Sequence, residues 1–315
     1  MKINGEISGS LTQLEDGTSY LIAGENVTIV SQSNGSVLIS AATGSGGGGG
    51  CECDLTVEDV FGTGVDGTAL LDGTNTFSWA SKSGSDYTMT KDVHLENLTI
   101  NSSVTLDASG YRIFVSDDCV ISGNLHNNGG DGSNSGGSPG PGGVGGGAGS
   151  FLGGKKGGGN DGDSESQTLG VFGVFATGGA GLSGGDDGGS YDGAWQVYAL
   201  GDDYIPETVK GIILTATGSS FNLGGGAGGG KGNQGSGGGG GGVVALIAKN
   251  VTITSSGKIE AIGGDNDPNN WGGGGGGGLV ILVKSTLTNN GSIDVSGGDG
   301  QGDGGDGAAL TFTVV

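Results

Sequence analysis

Two hydrophobic patterns follow one another in the C-terminal part of this chain, and then repeat. Val243 to Ala248 is a continuous apolar run, the signature of a strand buried on both faces. Val251-Thr252-Ile253-Thr254 alternates, as a half-buried strand does. A Ser255-Ser256-Gly257 turn leads to the short strand Lys258 to Ile262, and Gly263-Gly264-Asp265 closes the unit. The next unit has the same order: Leu279 to Val283, Thr286-Leu287-Thr288, the turn Asn289-Asn290-Gly291, Ser292 to Val295, then Gly297-Gly298-Asp299. Val243 and Leu279 occupy equivalent places 36 residues apart. A fixed period of this size predicts stacked repeats whose equivalent strands pair in register. A third unit begins in the Gly/Asp run from Gly300 to Gly307 and continues with Ala308 to Val315.

The same patterning reaches back to residue 95. Leu95 to Ile100, Val104 to Leu106, Tyr111 to Val115 and Cys119 to Ile121 read as short strands separated by turns. From Ile113 to Gly132 the order matches the later units. Before it, residues 54–94 read as a β-rich connector, with Thr76 to Trp79 and Tyr87 to Thr90 as its best strands. Residues 1–43 read as a small β module, in which Asn26 to Val30 and Ser36 to Ser40 alternate around an Asn34-Gly35 turn. So small a module holds little core, which points to attachment or oligomerisation. Residues 44–53 read as a glycine linker. Residues 160–210 interrupt the repeats with an insertion rich in aromatic residues.

Composition changes the picture at one point. Glycine supplies 81 of 315 residues, against a usual share of about 7%. Gly237 to Gly242 and Gly272 to Gly278 are uninterrupted tracts that recur between strands. A lone glycine segment is a flexible linker. Side by side, extended glycine chains with three residues per turn can bond laterally, because no Cβ separates their backbones. The recurrence between regular strands favours such a lattice of polyglycine II helices. The expected fold is therefore all-β: an elongated β-helix or solenoid of parallel strands with packed polyglycine helices.

The net charge of −22 disfavours nucleic acid and anionic membranes as partners. No run approaches the roughly 20 apolar residues of a membrane span, and Met1-Lys2-Ile3-Asn4-Gly5 does not read as a signal peptide. Synthesis in a cytoplasm is the expectation. Cys51, Cys53 and Cys119 make neither a disulfide framework nor a zinc spacing. His94 and His126 lie in predicted strands and read as structural. Asp299, Asp303 and Asp306 sit in a Gly/Asp run, but out of register with calcium-binding repeats. Gly-x-Ser-x-Gly carries no weight in so glycine-rich a chain. No catalytic group, metal site or cofactor is expected.

Six or more glycines at a time, set between strands and aromatic, Asp- and Asn-rich loops, resemble the glycine-rich adhesins at the tail-fibre tips of T-even-type phages. The resemblance covers about residues 95–315. The stretch from Gly9 to Ser40 is similar to N-terminal modules of tailed-phage fibre proteins. The resemblance implies a virion fibre or spike whose loops between glycine tracts contact a host cell-surface protein or glycan. It implies attachment to other virion proteins through the N-terminal module, with a homotrimer as one assembly. The expected receptor-binding residues are Asp267, Asn269, Asn270 and Trp271 in one loop, with Tyr191 and Trp195 in the insertion. Exposed aromatics beside polar amides and carboxylates suit such surfaces. Two other readings stand beside this one: a purely structural capsid or tail decoration fibre, and a polysaccharide depolymerase spike with paired carboxylates.

Overall fold

Strands form where apolar residues alternate or run together, and glycine runs fill the space between them. The structure is a computed structural model, describing residues 60–133, 141–158, 225–226, 228–229, 235–266 and 272–314, and the backbone of 27–31 and 37–41. The chain divides into two units, Met1–Asp54 and Leu55–Val315. In the first, β1 (Val27–Ser31) pairs antiparallel with β2 (Val37–Ala41), within one residue of the expected hairpin strands.

The second unit holds two sheets. One contains β3 (Ala69–Leu71), β6 (Val93–Leu95), β7 (Leu98–Ile100), β9 (Arg112–Ile121), β11 (Val243–Ile253), β13 (Leu279–Asn289) and β15 (Ala308–Thr313), all parallel. The other contains β4 (Ala80–Ser83), β5 (Asp86–Met89), β8 (Thr105–Asp107), β10 (Asn124–His126), β12 (Lys258–Glu260) and β14 (Ser292–Asp294). Only its β4–β5 hairpin is antiparallel. Val243 pairs with Leu279 in the β11–β13 ladder, as the 36-residue spacing requires. The fold class is therefore all-β with parallel sheets.

Three details depart from the pattern. The apolar run and the alternating stretch expected as two strands are one continuous strand in both β11 and β13. In β11 the first part is buried on both faces and the second on one, so the hydrophobic pattern changes while the backbone runs on. Thr76 to Trp79 is not a strand. Trp79 is instead a core residue, stacked on Phe77 at 5.0 Å, and the strand starts at Ala80. The stretch expected as a connector instead supplies β3 to β5 and most of β6, which pair into the same two sheets.

The two sheets share one core. Leu98, Ile100, Ile113, Val115, Leu246, Ile253 and Leu282 from one meet Tyr87, Met89, Leu106, Leu125 and Ile259 from the other. The opposite face of the seven-stranded sheet carries a second cluster, in which Val243, Ile247, Leu279, Ile281 and Val283 pack with Phe61, Phe114 and Phe151. Cys119 is fully buried, and burial pushes its thiol up to about 12. It is a small hydrophobe here, not a nucleophile.

Beside the second cluster, the glycine runs bond to one another. Residues 237–242 are the hub. Gly237 and Gly240 donate to Gly158 and Lys155, Gly238 and Gly241 to Gly273 and Gly276, and Gly239 and Gly242 to Gly130 and Asn127. Every third residue thus addresses the same neighbour. Acceptance has the same period: Gly143 and Gly146 donate to Gly237 and Gly240, and Gly229 and Gly226 to Gly238 and Gly241. Gly264 donates to Gly239. All these bonds are 2.7–3.0 Å long. A period of three is what an extended helix with three residues per turn produces. Side chains are excluded: a Cβ on Gly239 would overlap the carbonyl of Val144, and one on Gly275 the carbonyl of Gly239.

One polar group ties this region to the strands. Asp92 and Arg112 are fully buried and paired, with Nη2–Oδ2 2.7 Å and Nε–Oδ2 3.0 Å. The Arg112 backbone N–H and the Ser150 hydroxyl both donate to Asp92 Oδ1, at 2.8 and 2.6 Å. Burial alone would raise the Asp92 carboxyl. The guanidinium, the hydroxyl and the backbone N–H together hold it below the usual carboxylate range.

Candidate functional site

The glycine runs have two ends of different character. At one end they lead into strands: Gly242, Gly278 and Gly307 directly precede β11, β13 and β15. At the other end they lead out of the described structure. Segments 134–140, 230–234 and 267–271 each leave and re-enter here, and 159–224 leaves here.

Polar side chains at the edges of the tracts hold this end together. Ser236 is buried. Its hydroxyl oxygen accepts from the Ser133 N–H (2.7 Å), and its single proton is shared between the carbonyls of Ser133 (2.7 Å) and Pro141 (2.9 Å). The two stems of segment 134–140 are thereby clasped to the hub. Asn266 is also buried, and its Nδ2 donates to the Gly272 carbonyl at 2.9 Å, closing the base of segment 267–271. Gln301 donates to that same carbonyl, and Asn266 N–H donates to Asp299 O. Gly158 N–H donates to Gly229 O, and Gly229 N–H to Gly238 O, which brings the start of 159–224 and a stem of 230–234 to the hub. These stems form one bonded cluster.

The expected site residues Asp267, Asn269, Asn270, Trp271, Tyr191 and Trp195 lie outside the described residues. What the fold provides is their framing: both stems of the Asp267–Trp271 segment are pinned, while Tyr191 and Trp195 belong to the segment that leaves at Gly158. Sequence reasoning does not reach Ser133, Ser236 and Asn266: the two serines adjoin glycines, but Asp265 separates Asn266 from Gly264, and no shared pattern marks the three.

The other candidate chemistry resolves into structural roles. Asp131, Asp265 and Asp299 recur at one place in successive units. Asp131 Oδ1 accepts from Asp265 N–H at 2.9 Å, and Asp265 Oδ1 from Asp299 N–H at 2.8 Å. Asp303 and Asp306 likewise accept from Gly300 and Gly297. These carboxylates hold backbone amides. No group of three or more His, Cys, Asp or Glu among the described residues is placed to hold a metal ion. His94 stacks on Phe114, ring centroids 4.4 Å apart and planes nearly parallel, and partial burial pushes its imidazole down despite the nearby Asp66. His126 lies between Asp107 and Glu260 in register on the outer face of the smaller sheet. No helix among the described residues is long and apolar enough to cross a membrane.

Comparison with protein-family models, with curated proteins and with solved structures finds no match.

Proposed function

We propose that this chain is a phage virion fibre or spike protein that presents variable loops to a host cell surface from the end of a glycine scaffold. In this reading the hub and its neighbours are polyglycine II helices, and the parallel ladders are the rungs of a β-solenoid. The observation that carries the reading is the clustering of loop stems at the end remote from the strands. A rigid frame with clasped stems holds loops in fixed positions while leaving their sequences free. That is the division of labour a receptor-binding tip needs. The period-three bonding and the in-register ladders support the scaffold half of the proposal.

The receptor half is tested in the 267–271 segment. The triple substitution Asn269→Ala, Asn270→Ala, Trp271→Ala is expected to weaken adsorption to host cells about thirtyfold, the effect of a hot spot worth about 2 kcal/mol. The melting temperature should stay where it was. Full adsorption at full stability would favour a decoration fibre with no receptor. Release of reducing sugar from host capsule would instead favour the depolymerase.

The attachment half concerns residues 1–54. Because β3 to β6 belong to the second unit, the informative truncation begins at Leu55. The fragment 55–315 should fold with an unchanged melting curve and fail to join virions assembled in its presence. Its normal incorporation would move the attachment surface elsewhere.

A further inference from the structure

The two edges of the larger sheet are treated differently. β3, at one edge, has three residues, and the smaller sheet ends on the same side in the β4–β5 hairpin, which carries Lys82. Short strands, hairpins and lysines are the usual means of blunting an edge. β15, at the other edge, has six residues, Ala308-Ala309-Leu310-Thr311-Phe312-Thr313, without charge, proline or glycine. Among the described residues no strand lies beyond it. Ala308 N–H donates to Gly278 O and Val314 N–H to Lys284 O, so the even-numbered backbone groups face β13. The amides of Ala309, Thr311 and Thr313 therefore point outward. The side chains of Ala309 and Thr311 are exposed.

Charge is arranged asymmetrically along this edge. The exposed Asp303 and Asp306 precede β15. At its far end the Lys284 ammonium reaches over the strand and donates to the Thr313 hydroxyl. A second β15 laid parallel would set aspartates against aspartates. Laid antiparallel about a twofold axis at Thr311, it pairs Ala309 with the partner's Thr313. The Asp306 end of each copy then approaches the partner's Lys284, at both ends of the pairing.

We infer that β15 is a dimerisation edge, on which a second copy of this chain adds its own β15 antiparallel and continues the sheet across a twofold axis. Each outward amide then has a partner, and the interface is isologous, so it closes at two copies instead of growing into a fibre.

Sedimentation equilibrium of the full chain across micromolar concentrations tests this, with thermal melts run in parallel. Wild type should give the mass of a dimer. Thr311→Lys and Thr311→Glu should each sediment as monomers with unchanged melts, because Thr311 faces its own copy and like charges then meet. Mixed in equal amounts, the two variants should restore the dimer. As an independent arm, Lys284→Glu should weaken the dimer at least tenfold, and Lys284→Glu with Asp306→Lys should recover it. A wild-type monomer throughout, an assembly that ignores the Thr311 variants, or a mixture that stays monomeric would each overturn the inference.

Discussion

Gly275→Val is expected to make the second unit melt far below the wild-type chain. The new side chain would start inside the carbonyl of Gly239, and no rotamer moves a Cβ. The lattice offers no side chain that can yield in return, because the neighbours on all sides are backbone. Ordinary overpacking costs about 1–3 kcal/mol; displacing a bonded backbone should exceed that, at about 4 kcal/mol or more. In a unit of this size the melting temperature should drop by roughly 10 °C. Gly84→Ala is the instructive control. Gly84 has φ +62° and nothing within 4 Å of an added Cβ, so its cost is conformational only, about 1 kcal/mol. Equal melting shifts for the two variants would mean that the tract does not pack as described.

Asp92→Ala should be the other large effect. It strips the buried Arg112 guanidinium of its carboxylate and leaves the Ser150 hydroxyl without its acceptor. Removing one member of a buried pair typically costs about 3–5 kcal/mol, through the uncompensated charge left behind. Replacing both, as Asp92→Asn with Arg112→Met, should recover much of the loss, and chemical denaturation of wild type and both variants measures it. The pair also sets a pH response. The folded Asp92 carboxyl lies below its unfolded value, so its contribution is complete above about pH 4 and fades as acid carries the pH down through the folded value. The half-buried His94 acts in the same sense at higher pH. Its folded imidazole lies below the unfolded value near 6.5, so its contribution is present above about pH 6.5 and declines as the pH falls from there. Denaturation midpoints from pH 8 downward should therefore fall in two stages. In Asp92→Ala the lower stage should shrink; a profile identical to wild type would mean that the pair does not set the acid response.

Much of this architecture is legible in the residues. The equivalence of Val243 and Leu279 predicts the β11–β13 register, because a repeat that buries one face tolerates no slip. The return of glycine tracts between strands predicts lateral bonding for a similar reason: a linker has no cause to recur at a fixed place. What is not legible is local. Trp79 carries strand propensity yet serves the core from a turn, since tertiary burial outweighs a short segment's preference. Arg112 sits within the apolar run Tyr111 to Val115, and its partner Asp92 is twenty residues away. Only the pairing of β6 with β9 brings such residues together. Ser133, Ser236 and Asn266 are equally silent in sequence, because their role depends on which tract ends meet.

The exclusion of Cβ atoms from the glycine hub also has a genetic reading. Every single-base change that alters the amino acid of a glycine codon introduces a side chain or a stop, so Gly238, Gly239 and Gly275 have no conservative neighbour in the code. The fold itself thus sets an unequal cost on mutation: any missense change at these glycines adds atoms where backbones touch, whatever the codon allows.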